Sequence, residues 1–420
     1  MVEFQFVGDI NDLSVEQKDF ITNVLKKRGF ENGKIQVQPV GKAGDNYAAN
    51  VKRITIESNG ETFKIIAKVA SKQDMMRAMG NTTFIYQNEH VMYTEVLPTF
   101  TELENAAKVP GNERFRYAAC YGTYLEAPNE IILLEDLGVL GFQILDRFTS
   151  LTDENVRLVL KNFASLHSLS YVLKNKEPEK FETFKNKLVD FSLLMASIPE
   201  SANFFSQIYE DVQKLLRGDK YKKAVKNVIT QMITYATKLA KIEHDSKFSV
   251  IQQGDAWTNN IMFRLENDKT VECCMIDYQA SKVSSPVADL HYMIFLCTDY
   301  ATRKKHYDDW INYYHSQLDK NLSNYGLKAN YVYPRDKLDA DLRRFAKASI
   351  GQIIFVTMVI IRESANAAKL QDAMKKVDSN TSMHKMADHI KLSGVDPETI
   401  KKFQSKIEGV IDSFIELGYL

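Results

Sequence analysis

The sequence predicts an α+β chain in two lobes: a small mixed sheet in front and a larger, mainly helical part behind. Three observations predict it. Apolar residues alternate with a period of two in several runs between residues 34 and 134, with one helical interruption. From about residue 150 they recur at helical spacing instead. The two regimes meet at Leu137-Gly138, so the expected boundary divides 1–136 from 137–420. A chain of 420 residues is also too long for one compact core.

The front elements follow in order. Ser14 to Arg28 reads as a helix, with Ser14 as its cap and Gln17 three residues on, the spacing of a capping box. Lys34 to Val40 alternates as a strand, and GKAGDN follows as a loop. Tyr47 to Glu57 and Glu61 to Ala70 are strands joined by Asn59-Gly60, a hairpin signal. Thr82 to Leu97 reads as a helix that stops before Pro98. Arg114 to Leu125 and Glu130 to Leu134 complete the sheet.

Behind the hinge, Thr152 to Ser170 is amphipathic: Thr152 caps it, Asp153 and Glu154 lie in its positive first turn, and Leu158, Phe163, Leu166 and Leu169 form its stripe. Helices are expected over 202–217, 220–244, 286–298, 302–320, 336–364 and 394–416. Short strands around 260–264 and 271–277 flank the turn Glu266-Asn267-Asp268. The longest apolar run, IGQIIFVTMVII at 350–361, is too short to span a bilayer and is broken by Gln352 and Thr357, so it reads as a buried helix.

Composition narrows the function classes. Lys plus Arg equals Asp plus Glu, 54 against 54, which gives no electrostatic footprint for nucleic acid or an anionic membrane. Nothing indicates an obligate protein partner. Cys120, Cys273, Cys274 and Cys297 are too few for a disulfide framework and lack zinc-ligand spacing; they read as buried thiols in a reducing compartment. The N-terminus carries acids early and has no apolar core, unlike a secretory signal, so the expected setting is cytoplasmic. No Gly-x-Ser-x-Gly, His-Glu-x-x-His or Cys-x-x-Cys motif occurs.

The chemistry concentrates in VIQQGDAWTNNIMFR (250–264) and CMIDYQ (274–279). Asp255 can take a proton from a hydroxyl. Asn260, after four intervening residues, and Asp277, at the end of an apolar strand, can offer hard oxygens to magnesium on phosphates. Asp-x4-Asn alone is common by chance, and a strand-end Asp often only starts a turn; the ordered set Asp, Asn, hairpin, Asp is far rarer. Lys68, in IIAKVA, must direct its ammonium to a partner or to water. It either grips phosphates or snorkels to solvent from an edge strand. Glu89, in the front helix, is its preferred partner, with Glu95 as the alternative. Gly44, Asp45 and Asn46 lie in a loop whose backbone can approach phosphates, though a plain hairpin loop fits as well. Backbone groups from Glu135 to Leu137, at the lobe junction, can bond an adenine edge, or the acids there can simply be a solvated hinge. Asp289 in SPVADLHYM is expected either to bond backbone of the catalytic loop or to be an ordinary helix N-terminal charge.

QGDAWTNNIMF, MIDYQASKVSSPVADL, GKAGDNYAA, the Lys68 strand, NEHVMYTEVLP and LLEDLG stand in an order that resembles the ecdysteroid kinase-like family, from about residue 40 to 300. That family is grouped with choline kinase and aminoglycoside phosphotransferases. The resemblance implies a bilobal protein-kinase-like fold, ATP and magnesium, and transfer of the γ-phosphoryl group to a hydroxyl of a small molecule. Ecdysteroids are the best-known substrate class, and detoxification of hydroxylated foreign compounds is also proposed for the family. Asp255 would be the base, Asn260 and Asp277 the magnesium ligands, and Lys68, held by Glu89, the phosphate contact. One departure stands out: Gln253 occupies the position where the family usually has a histidine, a scaffold group near the metal Asp. Gln can both donate and accept, so the scaffold role can survive. The substrate is expected in a pocket built partly from 190–250 and 300–365. A kinase for a cationic alcohol such as choline or ethanolamine, and a catalytically weak nucleotide-binding pseudoenzyme, are the competing expectations.

Overall fold

The computed structural model describes residues 4–42, 50–58, 60–72, 77, 82–375 and 383–420. The front sheet comprises Phe4–Gly8 (β1), Gly33–Pro39 (β2), Asn50–Ser58 (β3), Glu61–Val69 (β4), Cys120–Tyr124 (β5) and Ile131–Glu135 (β6), in the order β1-β2-β3-β4-β6-β5. β1 is too short to announce itself in the sequence. It runs parallel to β2 because the helix Val15–Lys27 crosses over between them. That helix has the expected capping box at Ser14 and Gln17. Strand parity then sorts the side chains. Ile65, Ala67 and Val69 pack with Ile35, Ile54 and Ile21 in a core between sheet and helix. Lys68 leaves from the opposite face, the one that looks toward the second lobe.

Two expectations are corrected in this lobe. The helix does not stop before Pro98: Thr82–Val91 passes through a π-helical turn, Met92–Val96, into Leu97–Ala106. The wider turn absorbs the missing N–H of Pro98, which sits in the first turn of the following segment. The strand expected from Arg114 is only Cys120–Tyr124, because side chains hold the backbone before it; Glu104 takes the N–H of Phe115 and Glu135 that of Ala119.

The back lobe is helical around Asp153–Lys176, which runs further than its stripe suggested. The helix expected over 220–244 is two, Asp219–Ala224 and Met232–His244, with Asn227 between them at φ 63°, a left-handed conformation that ends a right-handed helix. Pro178–Lys187 and Phe191–Ala196 are short helices that the sequence reading did not anticipate. Strands Phe142–Ile144 (β7), Ile261–Glu266 (β9) and Lys269–Met275 (β10) form a small sheet, and Val250–Ile251 (β8) pairs with Val283–Ser284 (β11). The long helix Arg335–Ile360 buries Ile350, Ile353, Ile354 and Met358. Among the described residues no single helix is long and apolar enough to cross a membrane; one pair, Arg335–Ile360 with Ser364–Ala373, passes by length and composition together but is bent by 99°. The result is a bilobal α+β architecture of the kinase-like kind.

The back core also makes a pH prediction. His291 lies in it, with Nδ1 3.0 Å from Ser349 Oγ and its ring against Phe295, Phe414 and Tyr419. Burial pushes its imidazole from an ordinary 6.5 down to about 3. The unfolded chain takes this proton first, so stability is kept above about pH 6.5 and lost as pH falls toward 3, by up to ~1.4 kcal/mol per unit. Denaturant titrations at pH 7.5 and 5 should show His291→Gln losing less stability on acidification than wild type; equal losses would exclude this histidine as a source.

Candidate active site

The catalytic-loop geometry begins with a tight hairpin. Asn267 and Asp268, at φ 50° and 62°, make the two-residue turn between β9 and β10, and Met275 pairs with Ile261 at the open end. That pairing brings Asn260 beside the segment entering Asp277, where Ile276 N–H donates to Asn260 O at 2.9 Å. Asp277 then leaves the strand at φ 63° and ψ 70°, which turns it out of the sheet. Gly254 sits at φ +87°, and a Cβ there would stand 2.2 Å from Ala280 O, so only glycine lets the two loops approach this closely.

Lys68 crosses the cleft to meet this loop. Its Nζ contacts Glu89 Oε2 and lies 2.9 Å from Asp277 Oδ1. Burial works against the ammonium, but Asp277 and Glu89 outweigh it and hold its pKa above the ordinary value. Burial likewise raises the Glu89 carboxyl, to about 7, against the pull of Lys68. The shared proton stays on the lysine, which faces two carboxylates. Glu95, the alternative partner, pairs instead with Lys187 at 2.5 Å on the surface. One residue before Glu89, the Asn88 amide bonds Val189 O, Gln279 O and Ser281 O, tying the front helix to the back lobe.

Asp255 is held by side chains. Asn260 Nδ2 donates to its Oδ2 at 3.0 Å and to its backbone O at 2.9 Å, and Tyr292 donates to Oδ1 at 2.5 Å. Burial and the nearby Asp277 push the Asp255 carboxyl up to about 7, with the bonds from Tyr292 and Asn260 opposing the rise. Both Asn260 amide protons are used on Asp255, so its Oδ1 is the atom left for a ligand. Together with the partly exposed Asp277 carboxylate it makes a hard-oxygen pair, the donor type that suits magnesium, which takes few protein ligands and fills its shell with phosphate and water. Among the described residues no group of three or more His, Cys, Asp and Glu is arranged to hold a metal; a site of one amide and one carboxylate is of another kind.

Gln253 braces both loops. Its Nε2 donates to Ile276 O and Asp277 O, each at 2.9 Å, and its Oε1 takes the Asp255 N–H at 2.6 Å. Asp289 accepts the N–H groups of Gln253 and Gly254 at 2.9 and 2.8 Å and is itself 3.1 Å from His167 Nε2. Gln253→Leu would take the side-chain partner from three part-buried backbone groups; it should cost about 1–3 kcal/mol of stability and lower the transfer rate. Gln253→His, which restores one donor and one acceptor, should recover most of both; thermal unfolding and rate measured on the same preparations decide this.

The remaining expected residues are less directly engaged. The Glu135 carboxylate is occupied by Arg116 at 3.2 Å and by the N–H of Ala119, and the Leu137 side chain is buried, so only backbone at this junction can meet a base. Gly44, Asp45 and Asn46 lie outside the described residues. Tyr292, His167 and Asn88 were not singled out from the sequence. Tyr292 had one available signal: it follows Asp289 by three residues on the helix Pro286–Cys297, on the same face.

The back lobe also holds an apolar groove of about 690 Å³ between Phe191–Ala196, Ser201–Leu215 and Met232–His244, walled by Ile198, Pro199, Phe205, Ile233 and Ile242. Among the described residues no carboxylate lines it; Lys238 and Lys241 stand among its residues. Its lining comes from 196–242, within one of the two segments expected to build a substrate pocket, and none of it from 300–365. Its entry helix is anchored to the Asp277 loop, since Asp190 Oδ1 is 2.9 Å from Lys282 Nζ.

Fold and site define a class: a kinase-like phosphotransferase for small molecules. Asp255 and Asn260 on one loop, Asp277 at a strand end and Lys68 paired with Glu89 are the groups the site brings together. The chain belongs to the ecdysteroid kinase-like family, whose profile matches residues 43–327, two thirds of its length. No curated protein matches it. Among solved structures it is similar to a GDP complex of a point mutant of aminoglycoside 2'-phosphotransferase-IIIa, with 12% identity and a TM-score of 0.46 over 95% of this chain and 99% of that one. It is similar also to the GDP and kanamycin complex of APH(2")-IIia, with 14% identity and a TM-score of 0.41 over 86% and 99%. The wild-type GDP complex of aminoglycoside 2'-phosphotransferase-IIIa gives 11% and 0.43 over 94% and 99%.

Proposed function

We propose that this protein transfers the γ-phosphoryl group of ATP to a hydroxyl of an apolar small molecule, an ecdysteroid or another hydroxylated metabolite or foreign compound. One observation carries the reading: Asp255, Asn260 and Asp277 converge on one cleft with Lys68 facing them from the other lobe. The acceptor oxygen attacks the γ-phosphorus, the bond to the β–γ bridging oxygen breaks, ADP departs, and Asp255 takes the hydroxyl proton. Lys68 offsets charge on the phosphates, and Glu89 keeps it aimed. Asn260 Oδ1 and Asp277 would hold magnesium, which supplies further neutralisation of phosphate charge when bound. The backbone from Glu135 to Leu137 and the loop at Gly44, Asp45 and Asn46 would contact the nucleotide. A cytoplasmic setting belongs to the proposal.

Taken as the acceptor pocket, the groove supports an apolar acceptor. A cationic alcohol is recognised by carboxylates and aromatic faces, and this groove offers lysines instead of acids. Against the pseudoenzyme alternative stand the three scaffold bonds that Gln253 makes. The test is incubation with γ-labelled ATP and magnesium over a panel of hydroxylated sterols, smaller apolar alcohols, choline and an aminoglycoside. Label on the apolar alcohols is the expected result. Label confined to choline or the aminoglycoside would overturn the acceptor class, and ATP binding without transfer to any alcohol would return the pseudoenzyme reading.

A further inference from the structure

We propose that Tyr292 is a positioning residue for the transfer: its phenol locks the Asp255 carboxylate so that one free lone pair faces the acceptor hydroxyl. The inference rests on the phosphotransferase reading above and adds a residue to it.

The argument is a count of lone pairs. An ionised carboxylate has about four acceptor positions. Tyr292 occupies one on Oδ1 at 2.5 Å, and Asn260 occupies one on Oδ2 at 3.0 Å. The Gln279 side chain also hydrogen-bonds Asp255. One position is left for the substrate proton. With both oxygens tethered, the carboxylate plane cannot turn about its terminal torsion, which is otherwise soft. Without the phenol, Oδ1 would lose this tether and the plane could turn more readily about the Asn260 contact.

The tether comes from a rigid element. Tyr292 is buried in the helix Pro286–Cys297, one turn after Asp289. Asp289 holds the loop backbone through the N–H groups of Gln253 and Gly254, while Tyr292 holds the side chain of the base. One helix face thereby fixes where the loop runs and which way its carboxylate points. The phenol cannot itself be the base: burial and the adjacent Asp255 raise its pKa well above the ordinary value, so it remains a donor. A misaligned reacting group costs up to ~10²-fold in rate without weakening binding.

The experiment compares wild type, Asp255→Ala, Tyr292→Phe and a variant with p-aminophenylalanine at 292, which keeps the ring and returns a donor as N–H. Tyr292→Phe should lower kcat by about 10–10²-fold, with KM for ATP and acceptor within about twofold and the ATP dissociation constant unchanged. The p-aminophenylalanine variant should recover kcat to within about threefold of wild type. A wild type that transfers no label overturns both this inference and the reading beneath it. An active wild type with an inactive Asp255→Ala, but full kcat in Tyr292→Phe, overturns the inference alone. So does a Tyr292→Phe loss that appears in KM, or one that the restored donor leaves uncorrected, since either marks a binding or packing role.

Discussion

Asp255→Ala should lower kcat for alcohol phosphorylation by about 10²–10⁴-fold, a barrier increase of ~3–5 kcal/mol, while ATP binds within about threefold of wild type. The reason is the division of labour in the cleft. Asp255 lies beside Asn260 but makes no contact with Lys68, whose carboxylate partners are Glu89 and Asp277. Removing its carboxylate therefore takes away the proposed proton acceptor and leaves the Lys68 ammonium in place. Its carboxyl, pushed up to about 7, is matched to proton transfer near neutral pH. Asp255→Asn is the companion variant, since it preserves the volume and can keep a bond from Tyr292. Steady-state rates with calorimetric ATP titrations check the split, and a wild-type kcat in either variant would remove Asp255 from the mechanism.

Lys68→Met should have the second large effect, on both stability and nucleotide use. Lys68 and Glu89 are almost wholly buried, with side-chain exposures of 9% and 1%. Breaking such a pair from one side leaves a buried carboxylate without its cation and costs about 3 kcal/mol or more. The deficit should be larger at pH 8 than at pH 5. Glu89 is already raised toward neutrality, and a protonated carboxyl needs no cation, so the penalty grows as pH rises through its folded-state pKa. Glu89→Gln in the same background should return part of the lost stability but none of the lost kcat/KM for ATP. Denaturant titrations at the two pH values and ATP kinetics measure these outcomes. A Lys68→Met protein with wild-type stability and unchanged kcat/KM would exclude Lys68 from phosphate contact.

Much of the fold was legible because it depends on short-range periodicity. Alternation through β4 put Lys68 on the face opposite Ile65, Ala67 and Val69. Ser14 and Gln17 announced their capping box. The ordered set Asp255, Asn260, Asp277 could be read because a tight hairpin between Asn260 and Asp277 necessarily returns its ends to one place. Where the reading failed, a competing local effect won. Pro98 was taken as a helix stop, but a π turn accommodates it. Asn227 broke a helix that has no proline or glycine to mark the break. β1 is five residues and gains its partner only after the Val15–Lys27 helix has crossed over.

By itself the sequence determined the order of strand-rich and helix-rich halves, the loop that carries Asp255 and Asn260, and the strand that carries Lys68. Each follows from spacing within a few residues, where backbone geometry leaves few alternatives. Only the tertiary structure decided which groups meet. Lys68 reaches Asp277 across 209 positions, Asp255 meets Tyr292 across 37, and Asn88 joins Ser281 across 193. Such contacts depend on how two lobes pack and on which helix face lies against which loop. Periodicity tells a residue which side to face but not what it will find there.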